Sequence, residues 1–235
     1  MTGNIDVNNS ATDRSIVLLS GGMDSLVTAA IARTESSKLY FLHAKYRQRT
    51  EKRELQSFKD LIAHYQPDGY KTIDLGYFEE IALSSLIGEN DSIIYEANIP
   101  GQIPDTYVPF RNANLLAIAT SWAESIKVGK IYIGAVEEDS SGYPDCREVF
   151  IEAFNRLIKA GTTGVCPIEV RAPLLHLSKK EIVLKGMELS VPFQYSWSCY
   201  YNNEQACGRC SSCRLRLKAF KEAGIDDPLP YLERE

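Results

Sequence analysis

The sequence predicts an α/β fold built on a doubly wound parallel sheet, with a C-terminal metal-binding segment. Short apolar runs rich in β-formers alternate with segments of helical composition, which is the pattern of a parallel sheet covered by helices on both faces. At 235 residues and 44% hydrophobic composition the chain can bury one sizeable core. Four cysteines gather close to the C-terminus, so the organisation expected is a tail at 1–14, an α/β domain at 15–190 and a cysteine segment at 191–235.

Each element has its own local signal. The polar start, rich in Asn, Ser, Thr and Asp, is expected to be disordered. Residues 16–19 form a short apolar run bounded by Ser-Gly-Gly, which fits a buried strand, and a helix follows over 25–33. A second strand at 39–44 precedes a charged helix at 51–65. A third strand, 70–75, follows the turn Pro67-Asp68-Gly69. Residues 88–109 hold two Gly and three Pro with no long periodic run, and read as a long loop that lines a site or moves. In the helix predicted at 114–126, Leu115, Ile118, Ala119, Trp122 and Ile126 recur every three or four residues, so this face is core and Trp122 a packing residue. A strand at 131–134 and a helix at 148–160 closed by Gly161 come next, then a strand at 168–172 stopped by Pro173. Ser178 and Glu181 make a capping box that opens a helix over 179–189.

Charge and hydropathy exclude some functions. A formal charge of -5 and a pI near 5.4 disfavour a surface that holds nucleic acid, because phosphate neutralisation needs clustered Lys and Arg. Lys45, Arg47, Arg49, Lys52 and Arg53 are a local exception, read either as a solvated loop and helix start or as an anion or partner contact. No stretch approaches the roughly 18 consecutive apolar residues of a membrane span, and the first residues lack the apolar run of a signal peptide. A cytoplasmic protein without membrane contact is expected, and that compartment favours metal binding or chemistry over disulfides for its six cysteines.

Leu18, Leu19, Ser20, Gly21, Gly22, Met23, Asp24 and Ser25 join the first strand to the first helix. The glycines let backbone N–H groups converge, the helix adds its positive N-terminal end, and Ser20 and Ser25 add hydroxyls, which together make an anion cradle. The loop lacks the lysine of a Walker loop and is not the G-x-G-x-x-G fingerprint. It resembles the SGGxDS loop of PP-loop ATP pyrophosphatases, whose sheet is of the adenine nucleotide alpha hydrolase-like type. That resemblance implies cleavage of ATP between its α and β phosphates and transfer of AMP to an oxygen. It also implies that Asp24 helps to hold Mg²⁺ against the pyrophosphate; the plainer reading is a first-turn carboxylate that complements the helix dipole, worth about 0.3–1 kcal/mol. His43 ends the second strand where this fold usually reads adenine, and reads equally as a structural histidine.

Cys199, Cys207, Cys210 and Cys213 are spaced C-x7-C-x2-C-x2-C. Four thiolates suit Zn²⁺ in a closed, structural tetrahedron, and Gly208 supplies the tight turn; an iron–sulfur cluster is the rival, without the closing Cys-Pro. Cys146 and Cys166 stand apart, either as small buried hydrophobes or as the pair a thiolating enzyme would use.

Beyond the loop the chain carries Tyr107-Val108-Pro109-Phe110-Arg111-Asn112, then Ser141-Gly142-Tyr143-Pro144-Asp145-Cys146-Arg147, then Ser196-Trp197-Ser198-Cys199-Tyr200. With the SGGMDS loop and the cysteine cluster, these motifs resemble the 7-cyano-7-deazaguanine synthase (QueC) family over residues 16 to about 220. The resemblance implies a homodimer that uses ATP to activate 7-carboxy-7-deazaguanine, with ammonia converting the acyl adenylate first to an amide and then to a nitrile. Catalysis of that kind rests on alignment and on neutralising charge. Arg111 and Lys179 are the candidates for phosphate or carboxylate charge, and Asp145 for the guanine-like edge; Arg111 also reads as a cap and Lys179 as an exposed first-turn residue. The chain departs from the family where Lys45-Tyr46-Arg47-Gln48-Arg49-Thr50 replaces Asp-Tyr-Gly-Gln-Arg-His, at Val136 and Ser140, and at Phe110 in place of a small residue. The alternatives are a QueC-like paralogue that couples the acid to an amine of a partner protein in antiviral defence, a tRNA-thiolating PP-loop enzyme, and a nucleotide-binding module without catalysis.

Overall fold

The computed structural model describes residues 13–87, 103–137 and 142–234. Five parallel strands form one sheet in the order β3-β2-β1-β4-β5: β1 (Arg14–Leu18), β2 (Lys38–Lys45), β3 (Gly69–Asp74), β4 (Lys130–Tyr132) and β5 (Glu169–Arg171). The direction of winding reverses between β1 and β4, so the crevice beyond their C-terminal ends is where an open α/β sheet accommodates a ligand.

Side chains alternate across the sheet, as strand geometry requires. Val17, Leu39, Phe41 and Tyr132 point into one core, packed against α1 (Met23–Thr34), α2 (Glu51–Tyr65), α6 (Lys179–Glu188) and α7 (Ser211–Glu222). Ile16, Leu18, Leu42, Ile131 and Val170 point into the other, against α4 (Arg111–Ile126) and α5 (Glu148–Gly161). The doubly wound architecture is therefore as expected, and α7 packs Ala219 and Phe220 into the same core as α1, which ties the cysteine segment to the sheet.

The expected elements are present with shifted ends. β1 starts at Arg14, and Ser37 donates to the Asp13 carbonyl, so order begins before the expected boundary; residues 1–12 of the expected tail lie outside the described residues. A one-turn helix, α3 (Phe78–Ile81), was not foreseen: Phe78 anchors it in a small cluster with Leu75, Ile87 and Val108. The loop expected over 88–109 falls mostly outside the described residues. Helix α4 begins at Arg111, one turn before its periodic apolar face, and Trp122 packs on its core as expected, edge-on to Tyr40. The Ser178–Glu181 capping box is present, both partners closing on each other.

Candidate functional site

The crevice is a cavity of about 310 Å³ at the C-terminal ends of β1, β2 and β4. Its floor is the turn from β1 into α1. Gly21 has φ +92°, and a Cβ there would meet the Glu54 carbonyl oxygen and Ser57 Cβ at 3.0 Å, so both conformation and space require glycine. Gly22 caps α1 and its N–H donates to Ser20 Oγ at 3.2 Å; Ser25 Oγ donates to the Gly22 carbonyl at 3.0 Å. Across the crevice, a Cβ on Gly134 would fall 3.0 Å from the Asp24 carbonyl carbon and the Ser25 nitrogen. Glycine therefore lets the segment after β4 lie directly on the first turn of α1. Leu18, Leu19, Ser20, Gly22, Met23, Asp24 and Ser25 all line the cavity, while Gly21 turns away beneath it.

Asp24 and Lys179 meet at this floor. Lys179 Nζ donates to Asp24 Oδ2 at 2.8 Å, whereas Asp24 Oδ1 is buried and has no hydrogen-bond partner among the described residues. An unmatched carboxylate oxygen at a phosphate-type loop is the donor that a hard cation takes. Arg111 lines the cavity from the start of α4, donates from Nη1 to Tyr46 Oη at 2.9 Å and lies over the Tyr46 ring. Burial works against its charge, but Tyr46, Tyr143 and Asp145 around it hold the guanidinium above its ordinary range; burial likewise pushes the Tyr46 hydroxyl up to about 12.

Asp145, expected at a ligand edge, lies behind the cavity wall. It is buried, and its Oδ2 accepts from the Asn112 N–H at 2.8 Å. It thus caps the first turn of α4 from a distant part of the chain, which explains both the early start of that helix and the fixed position of Arg111. Burial raises the Asp145 carboxyl above its ordinary value. His43 is also outside the cavity wall: fully buried, it stacks on Phe58 and its Nδ1 lies 2.9 Å from the Leu19 carbonyl, with burial lowering its pKa. Its Nε2 is buried without a hydrogen-bond partner among the described residues. Cys146 lines the cavity and Cys166 does not, so the structure does not assemble them into one site.

The basic run after β2 divides. Lys45 and Arg47 pair with Asp74 at the surface, while Arg53 lies over the Trp197 ring. Arg49 turns inward to line the cavity, over the Tyr201 ring, and its Nε and Nη2 are buried without a hydrogen-bond partner among the described residues. Glu54 also lines the cavity; it accepts from Gln48 Nε2 and Thr50 Oγ1, each at 2.9 Å, and burial raises its carboxyl above the ordinary value. Neither Arg49 nor Glu54 was singled out as a site residue from the sequence. The basic run was the available signal for Arg49, and Glu54 had none.

The four cysteines expected to bind metal come together as the roof. Their Sγ atoms all lie within 4.8 Å of one another and all four residues are buried. Cys207 and Cys213 sulfurs are 3.9 Å apart, close to the ~3.8 Å edge of a tetrahedron with metal–sulfur bonds of about 2.3 Å. The N–H groups of Tyr201, Asn202 and Cys207 each point at Cys199 Sγ at 3.4 Å, and the Cys210 N–H points at Cys207 Sγ at 3.3 Å, a donor set that stabilises thiolates. The residues therefore fit a thiophilic ion. The Trp197 N–H donates to the Gly21 carbonyl at 2.8 Å, which fastens this roof to the phosphate-type turn.

Among the described residues no helix is long and apolar enough to cross a membrane. The fold is similar to that of an NMN synthetase from Francisella tularensis (TM-score 0.50, 16% identity, 94% of this chain and 81% of that one). It is similar at the same TM-score to a 4-thiouridine synthetase solved with RNA and bound ATP, 16% identical over 90% of this chain and 50% of that one. In sequence, the chain is 52% identical over 222 residues to the 7-cyano-7-deazaguanine synthase of Chlorobium chlorochromatii, covering 94% of this chain and 97% of that one. It is 52% identical to the synthase of Chloroherpeton thalassium (93% and 96% covered) and 47% identical to that of Nautilia profundicola (94% and 99%). The model of the family described as "Queuosine biosynthesis protein QueC" matches residues 14–224, a span that takes in both the glycine turn before α1 and the cysteine cluster, and the chain belongs to the QueC family.

Proposed function

We propose that this chain is a 7-cyano-7-deazaguanine synthase that works as an ATP-dependent carbon–nitrogen ligase. The observation that carries the reading is the floor of the crevice, where a glycine turn, a helix N-terminus and Lys179 converge beside the unmatched Asp24 Oδ1. The turn and helix end would bind the triphosphate, with Lys179 and Arg111 supplying positive charge. Mg²⁺ fits Asp24 and would offset charge on the departing pyrophosphate. Zn²⁺ fits the four cysteines, where with every position filled by protein it would be structural.

A carboxylate is a poor electrophile, so activation comes first. A carboxylate oxygen of 7-carboxy-7-deazaguanine attacks the α-phosphorus and pyrophosphate leaves. Ammonia adds to the acyl carbon, AMP departs, and a proton is lost to give the amide. Adenylation of the amide oxygen by a second ATP then lets AMP carry that oxygen away, and loss of the remaining protons leaves the nitrile. The residues of this chain align the acid with the phosphorus and neutralise developing charge. Asp145 contributes by fixing the helix that presents Arg111. A homodimer in the cytoplasm is part of the same proposal. Relatives 47–52% identical carry the synthase name, which favours this reading over an amine of a partner protein or tRNA as acceptor.

The test is incubation of purified protein with Mg-ATP, the acid and ammonium, with the deazapurine product identified by mass. The nitrile is expected, with AMP formed only when the acid is present. Absence of acid-dependent AMP refutes the proposal.

A further inference from the structure

We propose that Arg49 is the receptor for the carboxylate of the acid substrate, which it grips through the Nε–Nη2 edge of its guanidinium. This rests on the ligase reading above and adds to it the group that recognises the acid.

Four cations line the cavity: Arg49, Arg111, Lys179 and Arg216. Three of them have described side-chain partners. Lys179 donates to Asp24, Arg111 to Tyr46, and Arg216 to Asp227. Arg49 differs, because its Nε and Nη2 are both shut off from solvent and both without an acceptor among the described residues. Buried donors are almost always matched, so two unmatched N–H groups on one edge of one side chain mark the place of a missing acceptor.

The edge itself says which acceptor. Nε and Nη2 project side by side, a fork that matches the two oxygens of a planar carboxylate. The same molecule shows the arrangement completed elsewhere: Arg216 uses Nε and Nη2 to hold both oxygens of Asp227, at 2.7 and 3.0 Å. Arg49 is held ready for such a partner. Its backbone N–H is bonded to the Leu86 carbonyl at 3.2 Å, and its guanidinium lies 5.6 Å from the centre of the Tyr201 ring. The triphosphate already has its own donors in the turn before α1 and in Lys179, on the neighbouring strand's loop and the opposite helix, so the fork after β2 remains for the acid.

The test compares wild type with Arg49→Lys, which keeps the charge and loses the fork. Binding is measured by calorimetry for three probes: the acid, its primary amide, and the α,β-methylene analogue of ATP with Mg²⁺. Loss of one charge-assisted bond weakens the acid by about 10- to 100-fold. The amide and the nucleotide analogue are expected to stay within about threefold, since neither offers a carboxylate to the fork. A merely structural role would weaken acid and amide alike, and that result overturns the assignment. Weakening of the nucleotide alone would make the fork a phosphate ligand and overturn it as well. Acid affinity unchanged in a variant with wild-type melting behaviour also overturns it. The wild-type protein, assayed for acid-dependent AMP release alongside, separates the two ideas: activity there with an unchanged acid affinity in R49K sinks the role of Arg49 while sparing the ligase reading.

Discussion

Arg216 and Asp227 make a buried ion pair at the junction between the sheet domain and the cysteine roof, and breaking it should be costly. Each side chain is 1% exposed. Beyond its two bonds to Asp227, Arg216 donates to Ser196 Oγ at 2.7 Å, to Ser198 Oγ at 3.3 Å and to the Phe193 carbonyl at 3.3 Å. Asp227 also accepts from the Leu229 N–H at 3.1 Å and from Tyr231 Oη at 2.6 Å. One guanidinium thus joins α7, the strap of residues 193–198 and the C-terminal segment. Asp227→Asn preserves shape but leaves the arginine charged, buried and without a counter-charge, and turns an NH₂ toward one of its donors. Removal of one partner from such a pair costs about 3–5 kcal/mol. At about 2–4 °C per kcal/mol for a chain of this size, the melting midpoint should fall by roughly 6–20 °C. Urea denaturation monitored by fluorescence and circular dichroism measures the difference. The double variant R216M/D227L removes both charges together and should lie within about 2 kcal/mol of wild type, because the desolvation cost disappears with the attraction. A D227N protein within about 1 kcal/mol of wild type, or a double variant as unstable as the single one, would refute this account of the junction.

Three further outcomes are expected. Gly134→Ala would drive a methyl against the backbone of Asp24 and Ser25, so it should destabilise by about 1–3 kcal/mol and weaken Mg-ATP binding, read by calorimetry; nucleotide affinity equal to wild type would contradict the close approach seen here. Asp24→Asn leaves Lys179 without its anionic partner and removes the free carboxylate oxygen, so AMP release should fall by at least about 100-fold and require more Mg²⁺ for half-maximal rate; an unchanged Mg²⁺ requirement counts against Asp24 as a metal ligand. Glu54 carries a carboxyl raised by burial, so its protonated form favours the folded state and this contribution is lost as pH rises above the ordinary value of 4.5. The stability of Glu54→Gln relative to wild type, from urea midpoints, should therefore increase between about pH 5 and pH 8, and a pH-independent difference would show that the carboxyl is not so perturbed.

What the sequence revealed, and what it hid, follows the range of the forces involved. The turn from Leu18 to Ser25 is legible because strand, glycines and helix start are contiguous, and the roof because four closely spaced cysteines with a glycine turn between them can converge on one ion without help from distant segments. Strand and helix identities were readable from periodicity, since each core face is written into one element at a time. Asp145 stood out as part of a motif, but its bond from the Asn112 backbone could not be read, because no local pattern announces an acceptor for a helix start that lies 33 residues away. Arg49 looked like one member of a basic run, and only the Tyr201 ring and the Leu86 carbonyl, both remote in sequence, turn it inward while Lys45 and Arg47 stay with Asp74. Helix α3 is too short for any periodic signal, and its single turn exists because Phe78 finds a pocket.

The bond between Trp197 N–H and the Gly21 carbonyl has a consequence for how the molecule comes into being. Its two halves lie far apart in sequence, so the glycine turn leaves the ribosome well before the segment that closes over it. Domains condense from the N-terminal side during synthesis, and contacts between distant segments close last. In a nascent polypeptide the crevice therefore stays uncovered on this side until the sulfur-bearing segment has been made and can dock on the glycine turn.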